Sequence, residues 1–156
     1  MKTKYRFLVM DCDGVLTDGA MVLHSDGSQS KRFNVKDGMG IKLCQEQGML
    51  TGIISAGTST GLVEARAEML AIPLVYVGKE PKLKVLQTWL ETHNLSLEEV
   101  VYIGDDVNDL PILEKCGAAF CPADAAEAVR NHPRVKTLTK AGGAGCVREL
   151  VDHHLL

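Results

Sequence analysis

Short apolar runs recur along the chain, and several stop abruptly at a polar residue. They fall at Tyr5–Met10, Leu50–Ser55, Leu74–Val77 and Val100–Gly104, with weaker ones at Ala118–Cys121 and Val135–Leu138. The runs are nearly continuous rather than alternating, as expected of parallel strands covered on both faces. Between them the pattern changes to that of helices. Asp37 is expected to cap a helix ending at Gly48, and Ser59 a helix over Thr60–Leu70 that carries Leu62, Val63, Arg66 and Leu70. Pro81 suits the first turn of a helix with Leu83, Leu86 and Leu90 on one face, ended by Asn94. Ser96 with Glu99 and Asp124 with Glu127 have the spacing of capping boxes. This alternation predicts a doubly wound, Rossmann-like α/β fold with a mainly parallel sheet.

One segment departs from that rhythm. After the first strand comes AMVLHSDGSQSKRFNV, two strand-like pieces around Ser25-Asp26-Gly27. It reads as a β-hairpin flap over about residues 20–35, with Asp-Gly supplying the positive φ values of a tight turn. Met21 and Leu23 on one strand, and Phe33 and Val35 on the other, offer apolar faces for pairing with other copies. No repeat or linker interrupts the chain, so residues 1–156 read as a single domain.

Composition narrows the class. Apolar residues make up 46% and charged residues 24%, the balance of a soluble globular protein. A formal net charge of −3 argues against a general nucleic-acid or anionic-membrane surface. No apolar stretch approaches the roughly 20 residues of a membrane span, and the N-terminal apolar run stops at Asp11, too soon for a signal peptide. The five cysteines are odd in number and never form CxxC, which fits a reducing, cytoplasmic setting.

The polar signals cluster at the carboxyl ends of the predicted strands, where open α/β sheets bind ligands. Asp11 and Asp13 follow the first run, Ser55 closes the second, Lys82 follows the third, and Asp105, Asp106 and Asp109 follow the fourth. Asp11, Asp13 and Asp105 form a hard, all-oxygen set suited to Mg²⁺. With it, Asp11 is placed to attack phosphorus, and Asp13 to protonate the leaving oxygen and then deprotonate water. Ser55 and Lys82 would hold the other phosphoryl oxygens. Asp109 reads as a helix cap that also supports the site, and Asp106 as a residue orienting water.

DCDGVLTDG, the Ser55 strand end, Lys82 and YIGDDVND resemble, in order, the four motifs of the haloacid dehalogenase superfamily of phosphohydrolases. The similarity spans nearly the whole chain, including FNVKDGMGIKL, LVEAR, GDDVNDLP and the tail AGGAGCVREL. It is closest to the capless branch containing 3-deoxy-manno-octulosonate 8-phosphate phosphatases and sialic-acid-type 9-phosphate phosphatases. That resemblance implies an octulosonate phosphate as substrate, with a role in lipopolysaccharide biosynthesis, and a nonulosonate 9-phosphate (sialic acid or KDN type) as the alternative. It also implies Asp11, the Asp13 carbonyl and Asp105 as metal ligands, Ala56 beside Ser55 at the phosphate, and Arg66 as a contact for the substrate carboxylate. On the hairpin, Lys31 and Arg32 are expected to present positive charge to an anionic substrate in an adjacent protomer. A homotetramer follows as well, each hairpin roofing a neighbouring site. Two charges usual in the branch are missing: Gly57 stands where Arg or Glu is common, and Ala144 replaces the Arg of a GGRG tail.

Each residue has a plainer reading. Asp11 and Asp13 could cap a turn, and Lys82 could be a solvated lysine, although a helix's first turn disfavours it. Arg66 is either an exposed helix residue or a contact for a substrate carboxylate. Cys12, between the two aspartates, points away from them and is expected to be a packed thiol. Two other classes compete. A response-regulator-like receiver would carry an aspartate at the end of its third strand, where this chain has GKEPK. A non-catalytic assembly domain of a sugar-nucleotide synthetase would not need both Asp11 and Asp13.

Overall fold

The computed structural model describes residues 4–58 and 61–156. Among them, six strands form one parallel sheet: β1 (Phe7–Met10), β4 (Leu50–Ser55), β5 (Leu74–Val77), β6 (Val100–Ile103), β7 (Ala118–Cys121) and β8 (Val135–Thr137). Their order is β5-β4-β1-β6-β7-β8. The chain therefore winds outward from β1 first to one side and then to the other. Phe7 of β1 is in register with Leu50 of β4 and with Val100 of β6.

Both faces of the central strands are covered, which is why β1, β6 and most of β4 are apolar. Leu8 and Met10 of β1 pack into one core with residues of α1 (Val35–Glu46), α2 (Leu62–Met69) and α6 (Cys146–Leu150). Phe7 and Val9 pack into the other with residues of α3 (Lys82–His93), α4 (Leu110–Leu113) and α5 (Glu127–Arg130). All five cysteines are buried and unbridged. Cys12 lies in the first core, where burial, then the charges of Asp13 and Asp11, pushes its thiol up to about 12.

Several local expectations are corrected. Helix α1 is capped by Asn34, whose side chain accepts the Lys36 N–H at 2.8 Å. Asp37 lies within the first turn and instead accepts the Arg148 N–H at the start of α6 at 2.9 Å. Asp124 caps no helix, because its Oδ1 accepts from Gly142 N–H, whereas the Ser96–Glu99 box is present. Pro81 is the residue before α3, so Lys82 opens that helix, and Asn94 ends it with φ 52°. Ser59 and Thr60 lie outside the described residues, and Gly61 precedes α2.

The hairpin is shorter than expected: β2 (Val22–Leu23) pairs antiparallel with β3 (Gln29–Ser30). Its turn carries a single positive φ, 84° at Gly27, with Gly27 N–H on His24 O and His24 N–H on Ser28 O. That is a three-residue loop closed by a glycine bulge rather than a two-residue turn. Phe33 and Val35 are not on its second strand. Phe33 packs against the core and Val35 opens α1, while Met21, Val22 and Leu23 are exposed.

Candidate active site

The carboxyl ends of β1, β4 and β6 converge on an open pocket of about 280 Å³ lined by Asp11, Asp13, Ser55, Ala56, Asp105 and Asp106. Asp11 is the first residue after β1, its N–H bonded to Ile103 O of β6 at 3.0 Å. The chain then turns sharply. Gly14 has φ 85°, and a Cβ built there would lie 1.9 Å from Asp105 Oδ2. Only glycine lets the turn pass so close to that carboxylate. Thr17 Oγ1 holds the loop by accepting from the N–H groups of Gly14 and Gly19.

Lys82 anchors the acidic cluster. Its Nζ lies 2.9 Å from Asp11 Oδ1 and 2.7 Å from Asp109 Oδ1. Burial alone would lower its pKa, but Asp11 and Asp109 hold it above the ordinary lysine value. Asp109 is fully buried and saturated: Oδ1 accepts from Lys82 and from Tyr102 O–H at 2.6 Å, and Oδ2 from the N–H groups of Asp105 and Asp106. It organises the loop after β6, and Asp106 itself caps the short 3₁₀ turn Val107–Asp109.

Asp11 Oδ1 is engaged by Lys82 and by Cys12 N–H at 2.7 Å, and the Asp11 carboxyl is also in hydrogen-bonding contact with that of Asp105. Burial, then the charge of Asp109, raises the Asp11 pKa well above the carboxylate range, and Lys82 pulls it back. Asp105 is also raised, again chiefly by burial.

These residues fit a magnesium ion. Carboxylate oxygens of Asp11, Asp105 and Asp109 lie within 4.8 Å of one another. Three carboxylates against one ammonium leave two negative charges for a dication to offset, and the donors are all oxygen. Asp109, with both oxygens already hydrogen-bonded, supports the set rather than ligating.

The other predicted residues separate. Ser55 is buried at the end of β4, and its Oγ accepts from Gly57 N–H at 3.4 Å. Arg32 is 88% exposed and paired with Asp18. Arg66 lies over the Phe33 ring and donates to Asn34 O, outside the pocket lining. Within this chain, neither arginine reaches the acidic cluster. Reasoning from sequence missed Tyr102 and placed Lys31 at a neighbouring protomer, whereas Lys31 pairs with Asp13 of its own chain. A tyrosine in a central apolar strand was itself a signal, since a buried phenol seeks a hydrogen-bond partner.

A family model described as haloacid dehalogenase-like hydrolase matches residues 75–148. The 3-deoxy-D-manno-octulosonate 8-phosphate phosphatase of Escherichia coli K12 is 40% identical over 152 residues, covering 97% of this chain and 79% of that protein. Among solved structures, a probable YrbI family phosphatase from Pseudomonas syringae aligns with a TM-score of 0.91 at 42% identity, over 96% of this chain and 84% of that one. The 3-deoxy-D-manno-octulosonate 8-phosphate phosphatase of Moraxella catarrhalis, in complex with magnesium, phosphate and KDO, gives a TM-score of 0.90 at 32% identity, over 96% and 84%.

Proposed function

This chain belongs to the haloacid dehalogenase-like hydrolases, and from that premise we propose that it is a Mg²⁺-dependent phosphatase acting on 3-deoxy-manno-octulosonate 8-phosphate. The observation that carries the reading is Asp11, whose Oδ1 is tied by two donors at a pocket that it lines together with Asp105 and Ser55. An oriented, half-tied carboxylate is what a nucleophile requires.

Asp11 Oδ2 bonds to phosphorus as the bond to the leaving alcohol breaks, and Asp13 gives that alcohol's oxygen its proton. In the second step Asp13 takes a proton from water as the water oxygen bonds to phosphorus and Asp11 is released. Ser55 Oγ and the amide N–H groups near Ala56 hold phosphoryl oxygens, and Lys82 keeps Asp11 in place while neutralising charge. The carboxylates of Asp11 and Asp105, with the Asp13 carbonyl, would hold Mg²⁺. When bound, the ion neutralises the phosphoryl oxygens and draws the anionic substrate in.

The same reading extends to assembly. Exposed Met21, Val22 and Leu23 on a small hairpin support a homotetramer in which hairpins cover neighbouring sites. Among the described residues, no helix is long and apolar enough to cross a membrane. Gly57 supplies neither of the charges common there in the two kinds of phosphatase, which leaves a nonulosonate 9-phosphate as the second reading.

Phosphate release from eight-carbon and nine-carbon sugar-acid phosphates, with Asp11→Asn as control, tests the proposal. We expect the eight-carbon ester to be preferred and the variant to lose on the order of 10⁴-fold or more in kcat. Preference for the nine-carbon ester would select the second reading, and an active Asp11→Asn protein would overturn the covalent step.

A further inference from the structure

Lys31 follows directly on β3, at the base of the hairpin, and its ammonium forms an ion pair with Asp13 Oδ1. The two side chains are unequally covered: Lys31 is 9% exposed and Asp13 39%. The lysine is thus fixed by its surroundings, whereas the aspartate, left alone, would be free to rotate. Neighbouring Arg32 pairs instead with Asp18 at the surface.

The second oxygen of Asp13 faces the pocket. A Cβ built on Gly57 would lie 3.4 Å from Asp13 Oδ2 and 3.5 Å from Ser55 Oγ. One oxygen is therefore tied to the hairpin, and the other is held near Gly57 and Ser55, where the proposed mechanism places a phosphoryl oxygen. An orientation error of an ångström at a proton donor is costly, because proton transfer demands hydrogen-bond distance to the reacting oxygen.

We infer that Lys31 is a positioning residue for proton transfer, holding Asp13 Oδ1 so that Oδ2 meets the ester oxygen and, later, the attacking water. This rests on the proposed phosphatase reading, with Asp13 as acid and base. Lys31 itself exchanges no proton: its N–H donates to Oδ1 while the proton moves on Oδ2. Because Lys31 belongs to the hairpin's base, the hairpin's placement and the acid/base step are coupled through one side chain.

The test exploits leaving groups. An alkyl phosphate, such as a sugar phosphate, must have its departing oxygen protonated, whereas p-nitrophenyl phosphate releases a stable anion. The ratio kcat/KM reports steps through cleavage of the first P–O bond, so it isolates the acid role. Lys31→Met keeps the aliphatic stem and removes the donor, and Lys31→Arg keeps both charge and donors.

With Mg²⁺ present, Lys31→Met is expected to lower kcat/KM on the alkyl ester about ten- to a hundredfold, part of what a general acid supplies. The aryl ester should lose less than about threefold by the same logic, and Lys31→Arg should recover most of the loss. Equal losses on both esters would assign Lys31 a merely structural role, and a raised KM with kcat retained would make it a substrate contact. Either result overturns the inference. The same ratio read on Lys31→Gln keeps it refutable if the Met variant folds poorly. Hydrolysis of neither ester by the unaltered protein would overturn the phosphatase reading itself, and the role of Lys31 with it.

Discussion

Lys82 Nζ and Asp109 Oδ1 lie 2.7 Å apart, with side-chain exposures of 4% and 0%, so the ion pair beneath the pocket is shut away from water. Such a pair is poor evidence of net stabilisation, since both charges lose their hydration. Removing one partner is a different matter, because it strands the other in a medium that cannot solvate it.

Lys82→Met should therefore cost stability as well as activity. It leaves Asp109 and Asp11 without their shared cation, and we expect a loss of about 3–5 kcal/mol. Urea unfolding of the metal-free variant measures it. A loss below about 1 kcal/mol would show that the pair had been neutral from the start.

Magnesium should stabilise the fold. Three carboxylates around one ammonium repel one another until a dication joins them. At a hundredfold excess over its dissociation constant, the ion adds about 2.7 kcal/mol, read as a rise in melting temperature. Asp105→Asn should abolish most of that rise. Full activity after exhaustive chelation would exclude the metal role.

Asp37 predicts a pH dependence away from the site. Its Oδ1 caps the start of α6 through Arg148 N–H, while Oδ2 is buried with no hydrogen bond. Burial raises its pKa, and the N–H groups of Arg148, Val147 and Gly145 oppose the rise. The folded state then binds a proton that the unfolded state has already lost. Stability from this group is complete below the unfolded value of about 3.9, and it falls as pH rises through the raised folded value. Asp37→Asn removes that term. The difference in unfolding free energy, wild type minus variant, should grow as pH is lowered across that window. A flat difference would refute it.

Leu23, 65% exposed on β2, tests the assembly. A charge there should be silent in a monomer but should break hairpin pairing between copies. Leu23→Asp is expected to shift the sedimenting species from tetramer to smaller forms, with activity on the sugar phosphate falling more than on p-nitrophenyl phosphate. An unaltered protein that sediments as a fully active monomer would end this prediction.

The strands and the site's outline were legible because each rests on local rules. A parallel strand covered on both faces is apolar at nearly every position, so β1, β4, β5 and β6 showed themselves as runs. Strands of an open sheet offer ligands at their carboxyl ends, so Asp11, Ser55 and Asp105 announced a pocket before any coordinates. Lys82 stood out because a lysine in a helix's first turn runs against the dipole, and its two carboxylate partners supply the reason. What only the tertiary structure decided is where side chains with several possible partners go. Asp37 and Asp124 each had a plausible capping role nearby in sequence, and Lys31 one at a neighbouring protomer. Each instead meets a group far along the chain, on Arg148, Gly142 and Asp13. A polar side chain takes whichever partner the packed fold brings within reach, and that distance is set by the whole sheet and its helices rather than by the residues beside it.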